Sequence, residues 1–192
     1  MKKILYTIAG LLAIFSFSSC DYNGMVKLDE QVQGQWAQVQ NVYQRRADLI
    51  PNLVNTVKGA ANFEKETLTQ VVEARAKATS ITVDPDKLTP ENIQKFQSAQ
   101  GELSTALGRL LSVTENYPEL KANANFQELQ AQIEGTENRI TVERQKFNEL
   151  TQQYNAKIRS FPNNLTAGMF GFEKKGYFQA DASAQKAPEV KF

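Results

Sequence analysis

The sequence predicts an all-α protein: an antiparallel, up-and-down four-helix bundle of long helices, followed by an irregular, aromatic C-terminal tail. Three observations predict it. Proline and glycine are sparse, 6 and 10 among 192 residues, while the straight-chain helix formers are plentiful. Apolar residues recur at helical spacing from Met25 to Phe161. The interruptions of that pattern coincide with proline and capping residues.

The chain opens on a different kind of segment. Lys2 and Lys3 precede an apolar run, Ile4–Phe17, broken only by Thr7, Gly10 and Ser16. This run is shorter than the ~18–20 residues of a membrane-spanning helix, and it has the length of a signal-peptide core. Ser18 and Ser19 place small residues directly before Cys20, the only cysteine of the chain. The expectation is a lipoprotein signal peptide over 1–19, cleaved before Cys20, and a lipidated tether over 20–24. Two or three acyl chains there, palmitate among them, make a stable anchor, because each buried methylene contributes about 0.8 kcal/mol.

The bundle is expected over 25–161. Val32, Trp36, Val39, Tyr43, Ile50, Leu53 and Val57 alternate by three and four, and Val71 and Ala78 continue the stripe. Ile93, Phe96, Leu103, Leu107, Leu110 and Tyr117 form another. Phe126, Ile133, Ile140, Phe147, Tyr154 and Phe161 recur every seven residues. Such stripes are core faces rather than ligand contacts. Breaks are expected near Asp48–Pro51, over Ile81–Thr89 and near Tyr117–Lys121. Thr89-Pro90-Glu91 is an N-cap, a first-position proline and a first-turn acid. The resulting helices are 25–48, 51–79, 91–116 and 121–160. A rival arrangement, two long rods kinked at Pro51 and Pro118, has the stripe's phase across Pro51 in its favour. It leaves more aromatic surface wet.

The composition also excludes chemistry. There is no histidine, so neither a Ser-His-Asp arrangement nor a Glu-x-x-His di-metal bundle can be assembled. The single cysteine excludes an internal disulfide and a thiolate metal cluster. The net charge is +1, and falls to −1 once Met1–Ser19 with its two lysines is gone. No basic field suits nucleic acid. The helix-borne carboxylates Glu64, Glu66, Glu73, Glu134 and Glu137 read as solvated faces or ion pairs. Arg45 and Arg46 are expected to form a structural clamp through Asp48 or Glu119, with anion capture as the alternative. In the tail, 162–192, the aromatics Phe170, Phe172, Tyr177 and Phe178 follow no helical period. They either plug the bundle end or present a docking surface.

Arg45-Arg46-Ala47-Asp48-Leu49-Ile50-Pro51-Asn52-Leu53-Val54 carries a family resemblance. With Glu73-Ala74-Arg75-Ala76, Tyr117-Pro118-Glu119-Leu120, Glu134-Gly135-Thr136-Glu137-Asn138-Arg139-Ile140 and Phe161-Pro162-Asn163-Asn164, the chain resembles the LemA family. The resemblance runs in order through residues 22–192. It implies a helical bundle on an N-terminal membrane anchor and brings no catalytic residue. Cys20 is a departure, since many relatives look as though they carry an uncleaved transmembrane helix instead. The expected role is therefore a non-enzymatic, lipid-anchored interaction or scaffold protein of the cell envelope, facing the periplasm or exterior. Its partners would be the membrane and other envelope proteins, with no cofactor, metal or nucleic acid. A carboxylate-based metal-dependent enzyme and a self-assembling structural lipoprotein are the alternatives.

Overall fold

The computed structural model of the chain describes residues 21–59 and 64–180. The expected signal peptide over 1–19, the expected lipidation site Cys20 and residues 181–192 lie outside them. Five α-helices and no strand occur among the described residues: α1 Tyr22–Lys58, α2 Lys65–Ser80, α3 Pro90–Thr114, α4 Pro118–Lys121 and α5 Ala124–Arg159.

Helices α1 and α5 are each about 55 Å long and lie side by side in opposite directions. Lys157 pairs with Asp21 at one end, and Arg46 reaches Glu137 further along. Helices α2 and α3 form a second antiparallel pair, tied by Lys77 to Glu102 and by Arg109 to Gln70. The segment between them contains a short 3-10 turn, Pro85–Lys87, and contributes Val83 and Leu88 to the core.

The helix starts follow from local chemistry. The Thr89 hydroxyl accepts from the Asn92 N–H, and Pro90 sits where its missing N–H costs nothing. The Asn123 side chain accepts from the N–H groups of Asn125 and Phe126 to start α5. Asp21 accepts from the Gly24 N–H at the head of α1.

The core falls into two clusters. One surrounds Trp36, whose ring lies 5.1 Å from Phe96 and 5.6 Å from Phe147, with Met25, Ile93, Ile140 and Tyr154 around it. The other joins Ile50, Leu53 and Val57 of α1 to Val71, Leu103, Leu110, Phe126 and Ile133. The seven-residue stripe of α5 is buried from Phe126 to Tyr154. Its expected last member is not: α5 ends at Arg159, and Phe161, beyond it, is 81% exposed.

The break expected near Asp48–Pro51 is absent, and the helices 25–48 and 51–79 are divided elsewhere. α1 runs unbroken through Pro51 to Lys58, Gly59 caps it, and α2 starts only at Lys65. Proline in a helix interior removes the hydrogen bond to the carbonyl four residues earlier. Here that carbonyl belongs to Ala47, and Arg75 of α2 donates its Nε–H to it at 2.7 Å. The defect in one helix is thus satisfied by the next. In-phase burial of Tyr43, Ile50, Leu53 and Val57 across Pro51 supplies the remaining stabilisation.

This pairing predicts a specific non-additivity. Arg75→Ala should cost about 1–3 kcal/mol by leaving the Ala47 carbonyl without a donor. The cost should shrink in a Pro51→Ala background, where residue 51 regains an N–H. Denaturant unfolding of the four chains of this double-mutant cycle measures it, and strict additivity would contradict the pairing.

Candidate functional site: a buried polar layer and a strapped groove

Arg46 is 1% exposed and lies between the two apolar clusters. Its Nη1 donates to Glu137 Oε1 at 2.6 Å and to Ser104 Oγ at 2.7 Å. Its Nη2 donates to Gln100, reaching Oε1 at 2.7 Å and the backbone carbonyl at 3.2 Å. The guanidinium also lies 5.1 Å from the centre of the Tyr43 ring. Gln100 in turn donates its Nε2–H to the Ala78 carbonyl in the last turn of α2. One hydrogen-bonded layer therefore joins α1, α2, α3 and α5.

The sequence-expected partners of the arginines lie elsewhere. Arg45, Asp48 and Glu119 are exposed, and Asp48 accepts from Gln44 one turn earlier. Arg46 uses Glu137, a residue read from sequence as one of several solvated carboxylates. Of the others, Glu64 accepts from Thr67, Glu66 from Gln70 and Glu134 from Gln130, while Glu73 is exposed. Among the described residues no three acidic, histidine or cysteine side chains gather into a metal-binding group. A signal for the layer did exist in the sequence. Arg46 occupies the seven-residue series Met25, Val32, Val39, Arg46, Leu53, and Gln100 the series Ile93, Gln100, Leu107, Thr114. A charged or amide side chain at a core position of the repeat needs buried partners.

The tail divides into two parts. Residues 160–172 turn back over the end of the bundle where α1 begins. The Asp21 N–H donates to Asn163 Oδ1 there, and Tyr22 meets Phe170 and Phe172 edge-on at 5.1 and 5.7 Å. Lys157, followed by the Gly24 N–H, holds the Asp21 carboxyl below its ordinary range. Apolar side chains on this segment stay exposed: Phe161, Leu165, Met169 and Phe170, with Tyr22 beside them.

The second part, 173–179, is a strap laid between α3 and α5. Asn155 donates to the Lys175 carbonyl and accepts from the Lys175 N–H. Asn148 does the same for Phe178, and Gln97 for Gln179, whose carbonyl also accepts from Arg144. The Gly176 N–H donates to the Leu88 carbonyl, and a Cβ at Gly176 would lie 2.6 Å from the Pro90 Cα. Phe178 is buried against Trp36, Phe96 and Phe147, under the Arg144 guanidinium. Lys175 is buried too, paired with Asp29 at 2.8 Å beside the Tyr154 ring. The four expected docking aromatics thus separate: Phe178 is core, Phe172 half-buried, and Phe170 and Tyr177 exposed.

The arrangement defines a class: an all-helical protein with a polar layer through its core and a tail that closes one of its grooves. The chain belongs to the LemA family, whose family model matches residues 35–192. Among curated relatives, it is 24% identical to magnetosome protein MamQ 2 of Paramagnetospirillum magneticum, over 92% of this chain and 71% of the relative. It is 25% identical to protein LemA of Metamycoplasma hominis, over 82% of this chain and 68% of that one. Magnetosome protein MamQ of Magnetospirillum gryphiswaldense matches at 24%, over 90% and 70%.

Two predictions follow from the site. Glu137→Ala removes the carboxylate that faces the buried guanidinium and should cost about 1.5–3 kcal/mol. Asp48→Ala and Glu119→Ala should each stay within about 0.5 kcal/mol of wild type. Equal effects in denaturant unfolding would contradict the layer. The second concerns alkaline pH. Burial, and then the Asp29 charge, raise the Tyr154 phenol above its ordinary 10.0. A raised acid contributes stability that is intact below its unfolded pKa of about 10 and lost as pH climbs towards the folded value. Tyr154→Phe should therefore flatten the loss of stability above pH ~10, which pH-dependent melting reads directly.

Proposed function

We propose that this chain is a non-enzymatic interaction or scaffold protein of the cell envelope, tethered to a membrane through a lipidated Cys20. On this reading α1, α2, α3 and α5 act as one up-and-down four-helix bundle, a rigid body on a lipid anchor. One observation carries the reading. The exposed Phe161, Leu165, Met169 and Phe170 lie on the segment that folds over the head of α1, and Asp21, capping that helix, directly follows Cys20. The end of the bundle nearest the anchor is therefore its apolar end, as a bilayer-facing surface requires.

Among the described residues no helix is long and apolar enough to cross a membrane. On this reading attachment rests on the leader and on Cys20, with the aromatic end adding only about 1–3 kcal/mol per side chain buried in lipid. The family match and the relatives named as magnetosome proteins support a place at a cellular membrane.

The anchor is tested by labelling cells with a fatty-acid analogue. The wild-type chain should incorporate it and mature to a shorter form, whereas Cys20→Ala should remain unlabelled as the longer precursor. Normal labelling of Cys20→Ala would overturn the anchor.

A further inference from the structure

We propose that the groove between α3 and α5 is a binding site for an extended peptide of the form Lys-Gly-x-Phe. Its own strap fills the site in one copy, and the tail of a second copy of this chain fills it in exchange. The proposal names a partner for the interaction role given above.

The groove reads main chain. Asn155, Asn148 and Gln97 each donate to the carbonyl and accept from the N–H of a single strap residue, at Lys175, Phe178 and Gln179. Two further main-chain contacts come from Tyr154 to the Glu173 carbonyl and from the Gly176 N–H to the Leu88 carbonyl. Between Asn155 and Asn148 the axis of α5 advances about 10 Å. The strap crosses this distance in the three steps from Lys175 to Phe178, so it runs close to full extension. An extended chain held by its backbone, with side chains seated in spaced pockets, is a recognised way of binding peptides. Here the pockets are an acidic one, where Asp29 meets Lys175, and an aromatic one, where Trp36, Phe96 and Phe147 enclose Phe178. Gly176 supplies the close approach to Pro90 that no other residue allows.

The occupant follows from the same contacts. A second copy carries the identical segment, so exchange preserves every hydrogen bond and both pockets. The link from the end of α5, residues 160–172, spans up to about 45 Å when extended, several helix diameters. Its hinge is Gly171, two residues before the strap, with φ +78 and no neighbour within 4 Å of an added Cβ. A side chain there strains the closed turn without touching the groove.

The test uses the full chain in detergent and a fluorescent peptide of residues 172–180. Wild type should take up the peptide weakly, because its own strap competes at high effective concentration. Gly171→Val should bind it roughly 5- to 30-fold more tightly, the factor by which a side chain at positive φ disfavours closure. Binding should be lost when the peptide carries Phe178→Ala, or when Asn148→Ala and Asn155→Ala are added to the Gly171→Val chain. Sedimentation of the Gly171→Val chain should show dimers that excess peptide disperses. Equal affinity for the intact and Phe178→Ala peptides would overturn the site. A chain that binds peptide yet stays monomeric at every concentration would overturn the second copy as its occupant. Both arms can be run on Cys20→Ala protein with helix content checked, so a failed anchor assignment leaves this test intact.

Discussion

The buried guanidinium of Arg46 is the constraint on which the rest of the structure turns. It sits where an apolar side chain would continue the core, and it therefore divides that core into two clusters. A charge so placed needs hydrogen bonds, and both terminal nitrogens find theirs on α3 and α5, while the Nε–H stays buried without a partner. The apolar stripe of α5 repeats every seven residues, and the α1 series through Arg46 does too. Packing alone would thus accept α5 shifted by one repeat against α1. The layer of Arg46, Gln100, Ser104 and Glu137 breaks that degeneracy, because a shift of α5 by seven residues would put Gln130 or Arg144 in the place of Glu137 and leave the guanidinium without its carboxylate.

A second local defect has the same character. Pro51 leaves a carbonyl without its donor in the middle of α1, and the repair comes from Arg75 on the adjoining helix. In both places a polar group that one helix cannot satisfy becomes a reason for the next to sit where it does. Gln100 links the two repairs, since it accepts from Arg46 and donates to the end of α2. The contribution of these contacts is as much to uniqueness of packing as to stability. The apolar clusters supply most of the latter.

How much of this was legible in the sequence depends on the distance over which each partner is found. The buried faces of α1, α3 and α5 could be read from spacing, and the start of α3 from Thr89-Pro90-Glu91, because both signals are local. The continuity of α1 was only half legible: the apolar stripe stays in phase through Pro51, but the donor to the freed Ala47 carbonyl stands 28 residues beyond that carbonyl. Arg46 was recognisable as a clamp candidate, but its partners lie 54 to 91 residues away, beyond any local pattern. Proximity in sequence favoured Asp48, which instead takes a hydrogen bond from Gln44. The tail shows the same limit. Phe170 and Phe178 are alike as residues, and only the groove built by Trp36, Phe96 and Phe147 makes one a core residue and leaves the other exposed.

The functional reading depends on this rigidity. A tethered scaffold must present fixed surfaces, and both the apolar end beside the proposed anchor and the strapped groove are built on α1, α3 and α5 held in one register. Spin labels at the exposed positions Ala37 and Val142 report that register as a distance between α1 and α5. In an otherwise wild-type chain, placed on a cysteine-free Cys20→Ala background, the distance should be single and narrow. Replacing Arg46 by methionine keeps the volume and removes the polar requirement. It should then add a second population, shifted by about 10 Å along the helix axis, one seven-residue repeat. A folded Arg46→Met chain with a single, unchanged distance would contradict the claim that Arg46 sets the register.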